Sequence, residues 1–310
     1  MKQITDTLVM IRPVNFRMNE ETAVNNYFQH TTEDLQETVN AKAQKEFDAF
    51  ADKLKAVGVN LIVIDDIASQ DTPDSIFPNN WVSFHENGDV ALYPMFAKNR
   101  RKERREDIFK TIEAEGRFIR NFIDYTSAEQ EDVFLEGTGS LILDRANSKA
   151  YCALSPRADE DLVIEFCEDF EYTPIIFNAY QSFKGERLPI YHTNVMMCVA
   201  EEFAVICLDT IDDKKEKKLV ADSLMQDGKE IISISEEQMN NFAGNMLQVQ
   251  GKADKFLVMS QTAHQALTQN QIKTIEKYCK ILSSDLETIE THGGGSARCM
   301  LAEVFIPKAV

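Results

Sequence analysis

No stretch of this sequence approaches the roughly 20 consecutive apolar residues that a helix needs to cross a bilayer, and Leu8-Val9-Met10-Ile11 is too short for a signal-peptide core. No membrane partner is expected. The six cysteines, Cys152, Cys167, Cys198, Cys207, Cys279 and Cys299, include no C-x-x-C pair, which argues against a disulfide framework and against structural zinc. That usage fits a reducing, cytoplasmic setting. Basic residues are few: Lys+Arg 33 against Asp+Glu 51 gives a net charge of -18, so the surface repels nucleic acid and anionic lipid. Neither a phosphate-binding loop nor a dinucleotide fingerprint is present, so no organic cofactor is expected. Asp65, Asp66, Asp71 and Asp74 lack the spacing of a calcium loop, and His30, His85 and His264 have no partners at ligand spacing, so no metal is expected.

At 310 residues the chain is long enough for one large α/β domain. Residues 7–13 read as a strand. Asn19 can cap a short helix over 20–28, and Thr32 a long one reaching Ala56, with Leu35, Val39, Phe47, Phe50 and Leu54 on its apolar face. A short strand follows at 60–65, and then an order of strand, strand, helix, strand begins. Strands at 80–84 and 90–93 flank the Asn87-Gly88 turn signal, with a helix over 99–114 and a strand over 118–123 behind them. The order recurs at 141–143, 150–154, 159–170 and 174–177; at 195–199, 204–208, 213–225 and 230–233; and at 246–249, 256–259, helical pieces within 263–281, and 286–289. A last strand, 300–306, needs partners near the N-terminus. Aligning the leading strands puts Asn80, Gly139, Asn194, Asn245 and Cys299 at equivalent places roughly 55 residues apart. Five such units predict a closed ring, one domain over 1–310, with these residues converging on a central pocket.

Three of the segments that converge carry chemistry. Gly293-Gly294-Gly295 can bring main-chain N–H groups close to a ligand and hold the thiol of Cys299 within reach at the start of the last strand. Leu135-Glu136-Gly137 offers a carboxylate beside a glycine turn, and Tyr191-His192-Thr193 an imidazole. A thiol attacks as its anion; His192 can move the proton, with Glu136 orienting the ring. Taken singly, each side chain has an ordinary structural explanation; at matching repeat positions they read as nucleophile, base and support.

Gly293-Gly294-Gly295-Ser296-Ala297-Arg298-Cys299-Met300, Leu135-Glu136-Gly137 and His192-Thr193-Asn194 resemble the guanidine-modifying, or pentein, superfamily of arginine deiminases, amidinotransferases and dimethylarginine hydrolases. The resemblance implies a five-bladed pseudo-symmetric α/β propeller of repeated ββαβ units. It also implies Cys299 as nucleophile on the central carbon, His192 as general acid and base, and Glu136 as support. Arginine-using members place aspartates where this chain has Asn80, in Phe77-Pro78-Asn79-Asn80, and Asn194, two residues after His192. Burying a guanidinium beside amides forfeits charge-assisted pairs, whereas asparagine both donates and accepts and so matches a neutral ureido group.

Phe77-Pro78-Asn79-Asn80-Trp81 is similar to the citrulline ureidase branch. The expectation is a cysteine-dependent hydrolase that takes citrulline to ornithine, carbon dioxide and ammonia through an S-carbamoyl intermediate. Asn79, Asn80 and Asn194 are expected at the ureido group. Arg157, after a strand, and Arg100, from the basic cluster 98–105, are expected at the substrate carboxylate. The partner is then a small ureido or guanidino molecule, and a homo-oligomer is compatible with the sequence. Two other classes stay open: a deiminase or amidinotransferase acting on a guanidino substrate such as arginine, and a non-catalytic binding protein on the same fold.

Overall fold

The computed structural model describes residues 1–30 and 35–308, so the Thr32 cap lies outside the described residues. Short apolar runs bounded by turn residues make the strands, and after each hairpin a helix carries the chain back to a parallel neighbour. Val82–Phe84 and Asp89–Leu92 pair antiparallel around a turn in which Gly88 takes φ +89°. Asp89–Leu92 then pairs parallel with Asn121–Asp124, beyond the helix Glu106–Ala114. The same order is repeated by Leu141–Asp144, Lys149–Leu154 and Thr173–Asn178; by Met197–Val199, Phe203–Ile206 and Glu230–Ser233; and by Leu247–Gln250, Lys255–Ser260 and Lys280–Ser284. A fifth sheet joins distant parts of the chain: Thr7–Arg12 pairs parallel with Asn60–Asp65 and antiparallel with Ala302–Glu303. Its crossover helix, Gln36–Ala56, buries Val39, Phe47, Phe50 and Leu54 in one cluster with Leu8 and Met10. Leu35, expected on that face, precedes the helix and is 76 % exposed.

Other differences from the sequence expectation have local causes. Residues 20–28 form turns instead of a helix. Asn19 and Asn26 side chains accept from the main-chain N–H groups of Glu21 and Phe28, and these local bonds compete with helix formation. The helix expected over 99–114 breaks into a 3-10 turn, Asn99–Glu103, and Glu106–Ala114, because Arg104 is extended and tied to Tyr93 O and Glu129. The helical pieces expected within 263–281 are Gln261–Ala266 and Gln269–Ile275, the second opened by a Thr268/Gln271 capping box. The strand expected at 286–289 is wrong: the ladder strand is Lys280–Ser284, and Glu287–Gly293 is a helix. Leu286 and Ile289, three apart and fully buried, lie on one helical side, and so short a run does not separate the two periods. Of the strand expected at 300–306 only Ala302–Glu303 forms the ladder, since Ala297–Met300 winds into a 3-10 turn. A hairpin absent from the expectation, Tyr180–Phe183 with Glu186–Pro189, closes through Lys184 and Gly185, both at positive φ.

Four leading strands are entered from short helical turns: Pro78–Asn80, Gly137–Ser140, Thr193–Val195 and Ala297–Met300. Asn80, Gly139, Asn194 and Cys299 sit on these turns, not on strands, and Asn245 takes the same place just before Leu247–Gln250. The turns meet. Asn245 Nδ2 donates to Asn194 O at 3.0 Å, and a Cβ added to Gly139 would stand 2.4 Å from Asn80 Nδ2.

Candidate active site

Glu136 immediately precedes the Gly137–Ser140 turn and is fully buried. Gly137 takes φ +44°, and a Cβ there would lie 2.4 Å from Asn79 O, so only glycine lets this turn approach Pro78–Asn80. Glu136 Oε2 accepts from His192 Nε2 at 2.7 Å and from Arg157 Nη1 at 3.5 Å, with Arg100 Nη1 4.0 Å away. Its Oε1 accepts from Phe96 N at 3.0 Å. Burial opposes ionisation of Glu136, but the Arg157 guanidinium, the His192 hydrogen bond and Arg100 hold the carboxyl down at about 2. Burial pushes His192 down to about 4, against the pull of the Glu136 hydrogen bond. A neutral imidazole facing a carboxylate carries its proton on Nε2. Nδ1 is then the bare nitrogen, on the side of Gly139, where an added Cβ would stand 2.9 Å from it.

Cys299 lies on the Ala297–Met300 turn, its N–H bonded to Ser296 O at 3.0 Å and its side chain almost wholly buried. Asn194 Nδ2 at 3.3 Å and Asn245 Nδ2 at 3.2 Å both aim at Sγ and supply donors to negative charge on the sulfur. Burial pushes Cys167 and Cys198 up to about 12 and Cys207 and Cys279 up to about 11, and none of these lines the pocket that Cys299 lines.

The amides are oriented by their neighbours. Arg100 Nη1 donates to Asn80 Oδ1 at 2.7 Å, and a guanidinium only donates, so Asn80 Nδ2 must turn toward Gly139. Asn194 gives Nδ2 to the sulfur, and its buried Oδ1 has no partner. Arg100 is fully engaged with protein acceptors: Nε with Glu103, Nη1 with Asn80, Nη2 with Glu103, Phe77 O and Asp74 O. Arg157 bonds Asn25 Oδ1 and Thr22 O in addition to Glu136, and stacks 5.1 Å from the Tyr191 ring. Asn79 lies behind Asn80, accepting from its Nδ2 at 3.2 Å, and does not line the pocket.

Asp74 was missed by sequence reasoning, which saw it only as loop or as one of four scattered aspartates. It lines the pocket, is 2 % exposed, accepts from Asn19 Nδ2 and Thr22 Oγ1 through Oδ2, and has no partner for Oδ1. No sequence signal separates it from Asp65, Asp66 and Asp71; Asp66 is buried as well, and what sets Asp74 apart is its place on the pocket wall with Oδ1 unpartnered. The pocket bounded by Asp74, Asn80, Arg157, His192 and Cys299 has room of only about 10 Å³, one water's worth. Residues 19–30 close over it, Asn26 Nδ2 and Gln29 Nε2 both donating to Gly293 O. Among the described residues no three metal-ligating side chains gather, and no helix is long and apolar enough to cross a membrane.

A family model described as N,N dimethylarginine dimethylhydrolase, eukaryotic, matches residues 12–306. The chain belongs to this family. It is therefore an enzyme, a hydrolase of carbon–nitrogen bonds. No curated protein matches this dimethylarginine dimethylhydrolase-family chain. Solved structures share its mixed α/β fold at low identity. ArgZ, an arginine dihydrolase from the ornithine-ammonia cycle in cyanobacteria, superimposes with TM-score 0.74 and 17% identity over 98% of this chain, which spans 41% of ArgZ. The substrate-bound N-terminal domain of a variant ArgZ gives 0.72 and 16%, covering 98% of this chain and 99% of that one. A dimethylarginine dimethylaminohydrolase variant, as an adduct with S-methyl-L-thiocitrulline, gives 0.63 and 13% over 97% and 99%.

Proposed function

We propose that this enzyme hydrolyses the ureido group of citrulline. The observation that carries the reading is the opposite polarity of two buried asparagines: Asn80, on the pocket wall, has one amide N–H left beyond the one it gives Asn79 Oδ1, and Asn194, beside Cys299 Sγ but outside the pocket lining, keeps an unpartnered carbonyl oxygen. A ureido group, one C=O acceptor flanked by N–H donors, matches that pair; a guanidinium has no acceptor for Asn80. Cys299 Sγ attacks the ureido carbon as its proton passes to His192 Nδ1. The imidazolium, stabilised by Glu136, returns the proton to the departing δ-nitrogen, and ornithine leaves. Water, giving its proton to His192, cleaves the S-carbamoyl thioester, and the carbamate falls to carbon dioxide and ammonia.

Asp74, with a free carboxylate oxygen in the pocket, takes the substrate ammonium; Arg157 exchanges Asn25 and Thr22 for the substrate carboxylate. Arg100 and Asn79 act as positioning residues that set the Asn80 amide. A pocket holding one water admits citrulline only once residues 19–30 swing away. The five sheets close into a single propeller-like ring, a reading supported by the union of Thr7–Arg12 with Ala302–Glu303 and by the convergence of the five turns.

A second reading, a guanidino substrate such as arginine, is favoured by the family and by the Asp74 carboxylate at the pocket wall. A product assay separates the two. Ornithine and ammonia from citrulline, absent with Cys299→Ser, support the first; citrulline formed from arginine, with no turnover of citrulline itself, overturns it.

A further inference from the structure

Asn245, one of the five repeat-equivalent residues, meets the nucleophile from outside the pocket. It is fully buried, sits just before Leu247–Gln250, and is absent from the pocket wall that Cys299 and His192 share. Its amide is fixed at both ends. Oδ1 accepts from Arg298 N at 3.0 Å, so that end is the oxygen, and Nδ2 has two hydrogens to place. One meets Asn194 O at 3.0 Å and the other Cys299 Sγ at 3.2 Å. Turning the amide over would set Nδ2 against the Arg298 N–H and Oδ1 against Asn194 O, so only one orientation is satisfied.

The sulfur is a double acceptor, since Asn194 Nδ2 reaches it at 3.3 Å as well. A thiol sulfur accepts weakly and a thiolate strongly, so two fixed donors favour the anion. Charged neighbours do not take over that task. In the pocket that Cys299 lines, Arg100 and Arg157 spend donors on Glu103, Asn80, Asn25 and Thr22, His192 is neutral against Glu136, and Asp74 opposes a second negative charge. Tyr191 gives its hydroxyl to Gly294 O, Arg298 turns its guanidinium to Leu301 O and Glu303, and Glu290 accepts from Ser296 Oγ. A guanidinium substrate would bring positive charge to the sulfur; on the citrulline reading the substrate brings none, and the protein alone supplies the stabilisation.

We propose that Asn245 is a further catalytic residue, whose side-chain N–H holds negative charge on Cys299 Sγ while touching no part of the substrate. It acts twice in the reaction. The thiol proton passes to His192 Nδ1 as the bond from Sγ to the substrate carbon forms, and the donor lowers the cost of that ionisation. When water cleaves the same bond, the electron pair returns to sulfur; the donor then stabilises the leaving thiolate until the imidazolium reprotonates it.

The test is a pH titration of thiolate ultraviolet absorbance without substrate, each protein read against its own Cys299→Ser blank, so the result is independent of which substrate the enzyme takes. Loss of one hydrogen bond to the anion is expected to raise the Cys299 midpoint by about one to two pH units in Asn245→Ala. Asn245→Asp keeps the side chain's shape and the Arg298 bond but sets an acceptor against the sulfur, so its midpoint is expected at least as high. It decides should the alanine variant fold poorly, as read by near-ultraviolet circular dichroism. With the substrate that turns over, kcat is expected to fall about tenfold or more while KM stays within about twofold. An unshifted midpoint in a folded variant, or a loss carried by KM with kcat unchanged, overturns the proposal.

Discussion

Replacing Glu136 with glutamine removes the one negative charge shared by His192, Arg157 and Arg100 while keeping the side chain's shape. All four groups are at most 2 % exposed, so the change acts in a low-dielectric interior. Stripping a buried ion of its partner costs about 3–5 kcal/mol. Arg157 keeps Asn25 and Thr22 O, and Arg100 keeps Glu103, so a cost at or just below the bottom of that range, about 2–3 kcal/mol, is expected. At about 2–4 °C per kcal/mol for a chain somewhat shorter than this one, the melting temperature falls by roughly 5–10 °C. Activity falls further, because the imidazolium formed as Cys299 attacks loses its counter-charge; a general acid–base term of about 10²–10⁴ in kcat is at stake. Thermal melting and initial rates of ornithine release, measured on the same preparation, check both. A variant with the parent's kcat and a melting temperature within about a degree of it would show that Glu136 neither holds the site together nor supports His192.

Asn80→Asp exchanges the inward donor for an acceptor beside Asp74 and Glu136; citrulline kcat/KM is expected to fall about ten- to a hundredfold, the worth of a hydrogen bond of 1–3 kcal/mol, and unchanged kinetics would refute the polarity argument. Gly139→Ala places a methyl 2.4 Å from Asn80 Nδ2 and 2.9 Å from His192 Nδ1, so it is expected to cost about 1–3 kcal/mol in denaturant unfolding and most of the activity. Acid is expected to destabilise the fold in two stages. His192 binds its proton less tightly folded, at about 4 against an ordinary 6.5, and Glu136 does so at about 2 against 4.5. In both cases the unfolded chain holds more protons, so stability drops as pH falls from about 6.5 to 4 through His192 and from about 4.5 to 2 through Glu136, each by on the order of 3 kcal/mol. Urea unfolding at stepped pH measures this, and His192→Gln is expected to remove the upper stage.

The repeat was legible because each unit announces itself twice, by a hairpin turn such as Asn87-Gly88 and by the period of its helix. The strands Asn60–Asp65 and Glu230–Ser233 fall where the apolar runs put them. Equal spacing of Asn80, Gly139, Asn194, Asn245 and Cys299 was enough to bring distant residues to one place, since a repeated backbone path places repeated positions alike. What failed was information held between segments. Leu286 and Ile289 fit either period until Lys280–Ser284 takes the ladder. The break at Arg104 depends on Glu129, far along the chain. Arg100 and Arg157 were visible as candidates, but what their donors meet is decided by Asn80, Asn25 and Thr22. Asp74 matters because it is buried on the pocket wall, a placement that Asp66, also buried, does not share, and that placement is a property of the packed loop.

Acid-quenching the enzyme during turnover of citrulline and weighing the peptide that contains Cys299 tests the central claim most directly. The account predicts a carbamoyl group on Cys299, absent from the other five cysteines and lost on further incubation before quenching. An unmodified Cys299 during active turnover, or an adduct formed from arginine and never from citrulline, would contradict it.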